Sequence, residues 1–167
     1  YFGTWHEGQK QGQGTAHYED GSSYEGQWRN DQPHGKGAYT YANGHVYSGG
    51  FQNGNRQGIG QYLVENGALY YEGDWRDDQK HGQGTLYDED GSKLYEGGFQ
   101  HGLASGSGKE FRQDGTPYYE GEFENDTKHG SGTFFTINGT PSFKGSLENG
   151  VRSGKGDEFR DDGSLFY

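Results

Sequence analysis

The sequence predicts an all-β fold: a single-layer, twisted antiparallel β-meander of tandem hairpin repeats, an elongated solenoid-like ribbon. Three observations carry that prediction. Openings of the form Tyr-x-Gly-x-aromatic begin at Tyr1, Tyr24, Tyr47, Tyr71, Tyr95 and Tyr119, with a Phe-opened variant at Phe143, so the spacing is 23 or 24 residues throughout. With the opening ring as position 0, Gly stands at positions 2, 11, 13 and 20 of every repeat, which takes up 28 of the 34 glycines. Only 26% of the residues are hydrophobic and 16% are aromatic, so Leu, Ile, Val and Ala are too few to fill an ordinary core; a globular domain has about 45–50% apolar residues, a count that includes Gly. Low hydrophobicity alone would suggest disorder; strict phasing argues against it.

Each element follows from this frame. Asp or Asn precedes the last Gly of every repeat, as in Asp20, Asn43, Asn66 and Asp90, and Asp-Gly or Asn-Gly between alternating segments is a strong hairpin signal. A second polar break falls near positions 6–10, as in Asn53-Gly54-Asn55-Arg56-Gln57. Two turns per repeat give two strands per repeat, so about 14 strands in an array of roughly 65 Å at about 4.8 Å per strand. Alternation puts positions 0, 2 and 4 on one face. A loop closing between positions 5 and 10 pairs position 2 with 13 and position 4 with 11, so each Trp or Phe lies across from a glycine of its own repeat. On that register, Gly82→Val strikes Trp75. Residues 1–167 read as one array, with repeats starting at 1, 24, 47, 71, 95, 119 and 143, expected to be part of a longer one.

Several function classes fall away. With no Cys there is no disulfide framework. A net charge of −11 repels nucleic acid and anionic lipid, and no stretch approaches the roughly 18 apolar residues of a membrane span. The Gly-x-Gly pairs lack the third Gly of a dinucleotide site and the Lys-Ser/Thr of a phosphate loop. The acids are phased surface positions, so the sequence offers no catalytic residue and no cofactor site, and the expectation is a chain that is not an enzyme. His34, His81 and His129 stand at position 10 of the even repeats, with Asp31, Asp78 and Asp126 at position 7. Equivalent positions two repeats apart are about 19 Å apart at four strand spacings, against Zn–N bonds of about 2 Å, so no metal is expected. An Asp–His hydrogen bond closing a longer loop is the expectation. Two sequons, at Asn125 and Asn138, matter only in a secreted chain.

The segments Tyr24-Glu25-Gly26-Gln27-Trp28 through Gly35-Lys36-Gly37, and Tyr71 through Gly84, resemble the MORN (membrane occupation and recognition nexus) repeat. The resemblance covers the whole chain. It implies a non-enzymatic module of the kind found in cytoskeletal scaffolds, ciliary components and myosin-tail binders, or beside enzyme domains, with phosphoinositide binding as one proposed role. It also implies a cytoplasmic setting on the cytoskeleton or a membrane. The 24-residue spacing from the third repeat onward departs from the usual 23, and Phe143 and Leu147 depart from Tyr and Trp.

These departures supply the candidate sites. The extra residue of the longer repeats follows the Asp/Asn-Gly turn, and position 16 becomes apolar opposite it, giving the pairs Leu63/Tyr70, Tyr87/Leu94, Phe111/Tyr118, Phe135/Ser142 and Phe159/Phe166. By parity this second stripe lies on the face opposite Tyr71 and Trp75. An exposed apolar stripe marks an interaction surface, so Phe111, Tyr118, Phe135, Phe159 and Phe166 are expected to mediate self-association. For a docked peptide the candidates are Trp28, Phe51, Trp75 and Phe99 on the other face. Basic residues recur at position 9 as Lys10, Arg56, Lys80, Lys128 and Arg152, a candidate row for anions or lipid headgroups. The loop edge that carries them is neutral overall, which disfavours membrane contact. The leading expectation is a scaffold that forms a homo-oligomer or binds a protein or peptide partner; the alternatives are a headgroup-binding recruitment array and an accessory targeting module of a larger enzyme.

Overall fold

The computed structural model describes residues 1–166 and contains fourteen strands and, among the described residues, no helix. They are β1 (Phe2–His6), β2 (Gln9–His17), β3 (Ser23–Arg29), β4 (Gln32–Thr40), β5 (Val46–Gln52), β6 (Asn55–Leu63) and β7 (Leu69–Arg76). They continue with β8 (Gln79–Tyr87), β9 (Lys93–Gln100), β10 (Leu103–Phe111), β11 (Pro117–Glu124), β12 (Thr127–Phe135), β13 (Pro141–Glu148) and β14 (Val151–Glu158). All are hydrogen-bonded in chain order as one open, single-layer antiparallel meander. Two compact units divide the chain: a first of Tyr1–Lys80 with Glu89–Gly91, and a second of His81–Asp88 with the residues from Ser92 on.

The loop-edge turns are shorter than the polar break suggests. His6 pairs with Gln9, Arg29 with Gln32 and Gln52 with Asn55, leaving two residues in each turn. Both central residues have positive φ, as at Asn30 (49°) and Asp31 (66°) or Asn53 (51°) and Gly54 (88°). This is the mirror-image turn whose twist matches that of paired strands. At the opposite edge, five residues such as 18–22 connect His17 to Ser23. The Tyr18 N–H donates to Ser22 O at 2.9 Å, and the Asp20 carboxylate accepts the Ser22 N–H at 2.9 Å. That acceptor role accounts for Asp or Asn at this point, and Asn43, Asn66, Asp114 and Asp162 repeat it.

The tight turn changes the register. Position 2 does pair with position 13, as in Gly26↔Gly37 and Gly49↔Gly60. Position 4, however, pairs with position 9 of its own hairpin, as in Trp28↔Pro33, Phe51↔Arg56 and Phe123↔Lys128. A bulge absorbs the difference, and position 11 pairs with the aromatic of the following repeat: Gly12↔Trp28, Gly35↔Phe51, Gly58↔Trp75 and Gly82↔Phe99. Gly82 therefore does not face Trp75, contrary to the sequence expectation. The position-11 glycines are required by backbone conformation, with φ of 73° at Gly58.

Rings and the glycine pair make the core together. The Tyr47 ring lies flat over Gly49 and Gly60; a Cβ on Gly60 would fall 2.5 Å from its Cε2. The phenol then reaches past the glycines and donates to the carbonyl of position 3, which the bulge leaves available. These bonds are Tyr24 to Gln27 O at 2.9 Å, Tyr47 to Gly50 O at 2.9 Å, Tyr71 to Asp74 O at 2.9 Å and Tyr95 to Gly98 O at 3.0 Å. Phe143 seats its ring on Gly145 and Gly156 in the same way but has no hydroxyl to donate. Ring edges also join neighbouring repeats. Tyr24 meets Trp28 at 5.1 Å and Phe51 at 5.0 Å, and in the second unit Tyr95 meets Phe99 at 5.2 Å and Phe123 at 5.0 Å, all edge to face. Such contacts contribute about 0.5–1.5 kcal/mol each beyond burial.

Two outcomes follow. Gly60→Ala places a methyl inside the Tyr47 ring and should cost about 3 kcal/mol, whereas Gly58→Ala, with open space around it, should cost only about 1 kcal/mol for its left-handed φ. Urea unfolding of the two variants separates them, and equal losses would refute the ring seat. The second outcome is alkaline. Burial pushes the Tyr24 and Tyr95 phenols up to about 12 and moves Tyr47 and Tyr71 in the same direction. The unfolded chain ionises near the ordinary value of 10.0 while the folded chain stays neutral, so their stabilisation is whole below pH 10 and is lost as pH climbs through the folded values. The urea midpoint should fall steadily between pH 10 and 12; a flat midpoint across that interval would contradict the burial of these phenols.

Candidate interaction surface

Trp28, Phe51, Trp75 and Phe99, proposed from sequence as a peptide-docking face, are only 4–6% exposed. They are interior rings, closed off from a partner by neighbouring tyrosines and by the bases of position 9. Indole N–H groups tie them further to the sheet, with Trp28 Nε1 donating to Gly14 O at 2.9 Å and Trp75 Nε1 to Gly60 O at 3.3 Å. This face is the core, because one sheet layer has nowhere else to bury its rings.

The basic row is likewise spoken for. Lys10 Nζ sits 4.9 Å from the Trp28 ring, Arg56 lies 4.2 Å over Trp75 and Lys80 stands 5.7 Å from the Tyr71 ring. In the second unit Lys128 stands 5.5 Å from the Tyr119 ring and Arg152 lies 4.3 Å over Phe143. Several are also paired: Arg56 with Asp78 at 3.0 Å, Lys128 with Glu110, and Arg152 with Glu158 at 2.9 Å. The cations are lids on the ring stack, held by cation–π attraction, rather than a row presented to anions.

The alternation between even and odd repeats has a different origin from the expected Asp–His bond. The Asp of position 7 turns toward the preceding repeat and accepts the backbone N–H of position 9: Asp31 from Lys10 at 2.8 Å, Asp78 from Arg56 at 2.9 Å and Asp126 from Ala104 at 2.6 Å. Its own N–H returns the bond to the same residue, as Asp78 does to Arg56 O at 3.2 Å. Where position 7 is Gly only the return bond forms, as from Gly54 to Pro33 O at 2.9 Å, and Pro33 has no N–H to offer. The histidines take no part in this clamp; Nδ1 of His34 is buried without a hydrogen-bond partner.

The second stripe is partly rearranged. In the longer repeats the turn keeps five residues and position 16 pairs one residue earlier than expected: Leu63↔Leu69, Tyr87↔Lys93, Phe111↔Pro117, Phe135↔Pro141 and Phe159↔Leu165. The added residue is a bulge just ahead of the next opening, exposed at Tyr70, Leu94, Tyr118 and Phe166. Phe111, Phe135 and Phe159 are half-buried, and Phe111 lines a trough of about 730 Å³ on the back of the second unit with Lys109 and Pro117. Tyr118 is on the other side: the bulge turns its ring onto Phe134 at 5.5 Å and beside Lys128. The predicted stripe therefore divides, with Phe111 behind the sheet and Tyr118 in front.

One exposed aromatic feature escaped the sequence reading. On the ring face of the first unit Tyr18, Tyr39, Tyr41, Tyr62 and Tyr70 form a ladder with centroid steps of 6.0, 4.8, 5.8 and 6.3 Å. Tyr18 and Tyr70 are 37% and 42% exposed. The recurrence of Tyr at positions 15 and 17 of the early repeats was the available signal.

A one-sided core of rings seated on paired glycines, built from hairpins that hydrogen-bond in chain order, defines a tandem β-hairpin repeat protein. The chain belongs to the MORN repeat family, whose model matches residues 1–23, 24–46, 47–68, 71–93, 95–116, 119–140 and 143–165. Among curated proteins none matches the chain. Membership makes it a repeat module of a generally non-enzymatic kind used in membrane or protein interaction. No helix among the described residues is long and apolar enough to cross a membrane.

The clamp has a direct test. Asp78→Gly keeps the turn but leaves the Arg56 N–H unpaired and removes the carboxylate from its guanidinium, which keeps its bond to the carbonyl of residue 78. We expect a loss of about 1–2 kcal/mol in urea unfolding; an unchanged midpoint would show that the clamp adds nothing to stability.

Proposed function

We propose that this array is a non-enzymatic structural scaffold, a protein-interaction module that self-associates and docks partner chains on the aromatic groups left outside its ring core, in a cytoplasmic setting at the cytoskeleton or a membrane. The observation that carries this reading is the division of the rings into two populations. One is sealed under position-9 cations. The other, the half-buried Phe111, Phe135 and Phe159, adds an apolar row that the ring core does not use. Rows of this kind are typical contact surfaces. The charges that a headgroup-binding array would need are engaged on rings and carboxylates, which leaves the scaffold reading better supported.

Absolute mass by light scattering, measured over a hundredfold range of concentration, tests self-association. We expect a dimer or larger species, and Phe111→Ser with Phe135→Ser should return it to monomer while the strand signal in circular dichroism persists. A parent chain that is monomeric throughout would remove the self-association reading. Joint loss of assembly and strand signal would assign both rings to the core.

A further inference from the structure

The two units differ at position 17 of the repeat, the first residue of the five-residue turn. In the second unit an arginine stands there twice. The Arg112 guanidinium lies 5.1 Å over the Tyr118 ring and donates to the carbonyls of Pro117, Phe135 and Thr136, the last at 3.3 Å. Arg160 lies 5.1 Å over Phe166 and donates to Leu165 O at 2.7 Å. The strip between the core rings and the turns is thus a place where this sheet holds guanidinium groups, with a ring beneath and turn oxygens beside. In the first unit the same position is Tyr18, Tyr41 and Val64, and repeats one to three carry no Lys or Arg anywhere in positions 17–22.

Charge and shape at that strip are complementary to a cation. The turn edge of the first unit carries Glu19, Asp20, Glu65, Glu89 and Asp90, and hydrogen bonds from the Ser22 hydroxyl and N–H hold the Asp20 carboxyl below the usual range. A hollow of about 570 Å³ opens there, lined by His45, Val64, Glu65, Asn66 and Glu89. Its His45 ring meets the Tyr62 hydroxyl at 2.9 Å, which joins the hollow to the half-exposed tyrosine ladder from Tyr18 to Tyr70. Phenol faces attract guanidinium, and a planar fork pairs with carboxylates better than a point charge does. At about 3.3 Å per residue, an extended peptide of roughly seven residues covers four ring steps of 4.8–6.3 Å. Arg56 lies 6.0 Å over the Tyr62 ring, but no arginine of this unit stands at position 17. We infer that the tyrosine strip of the first unit docks an extended peptide that supplies the arginines missing from that position. The inference rests on the interaction-module reading above and names its partner chemistry.

The test uses the whole chain and a labelled peptide of about eight residues alternating Arg and Ser, followed by fluorescence anisotropy. Control peptides carry Lys or citrulline in place of Arg, and the variants are Glu65→Gln with Glu89→Gln, and Tyr70→Ser, all at exposed side chains. We expect the Arg peptide to bind, the Lys peptide to bind about fivefold more weakly, and either variant to weaken the Arg peptide by about fivefold or more. Retained circular dichroism in the variants ties the loss to the surface. Absence of binding, equal binding of Arg and Lys peptides, or variants that bind like the parent would overturn the inference. A chain that self-associates in light scattering yet ignores the Arg peptide keeps the scaffold reading and loses this one. A monomer that binds the Arg peptide keeps the strip and loses self-association.

Discussion

A phenol ring laid over two facing glycines is the contact on which the rest of this structure depends. The ring needs Gly at positions 2 and 13 because any Cβ there would occupy its place, as Tyr24 shows over Gly26 and Gly37. Its hydroxyl then meets a carbonyl that the neighbouring bulge has released, so the one polar atom of the ring is satisfied inside the core. Tyr is thus selected over Phe by a hydrogen bond and over aliphatics by flatness. Once the tyrosines are seated, their edges form the sockets for the position-4 rings on both sides, and each repeat is incomplete without its neighbour.

A single layer has only one face on which to hide apolar surface, and it needs a lid. The position-9 bases supply one, with alkyl stems and charged heads that can sit on rings while staying wet. The lid is itself oriented. Arg56 is held by Asp78, which also receives the Arg56 backbone N–H. The same carboxylate therefore couples adjacent hairpins and steers the cation over Trp75. Where position 9 is Pro33, position 7 is Gly54 and the carboxylate is gone. At Pro33 there is no N–H for a carboxylate to accept, whereas Gly150 bonds to Lys128, which has one, so the beat is a matter of which turns carry the clamp.

Periodicity made most of this fold legible. The ring and glycine phases at Tyr71, Gly73 and Gly84 define strands, faces and the position-2 to position-13 pairing from spacing alone. The register at position 4 was not legible, because Gly82 looks the same whether it makes room for a ring or takes a left-handed φ. A two-residue turn with both φ positive, at Asp77 and Asp78, hid behind polar residues that read as a longer loop. The extra residue of the 24-residue repeats was visible, but parity counting assumed a regular strand. A bulge at Tyr118 breaks parity and brings that ring to the core side. The bases at position 9 were read by charge, and only the ring geometry shows what holds them.

Because the repeat dictates positions 0, 2, 4, 11 and 13, those positions carry little that distinguishes one stretch of the array from another. Individuality has to reside where the repeat leaves the residue type open, at positions 15, 16, 17 and 23. There the two units diverge. The second unit places Arg112 and Arg160 at two of its position-17 sites, where they offset acids of their own turns and cover the adjacent rings. The first unit places Tyr18 and Tyr41 there and acids at several turn tips, so its rings stay half-exposed beside carboxylates. The chemistry that the second unit satisfies internally is left open in the first, and a surface left open on a rigid, self-consistent frame needs no rearrangement to be occupied.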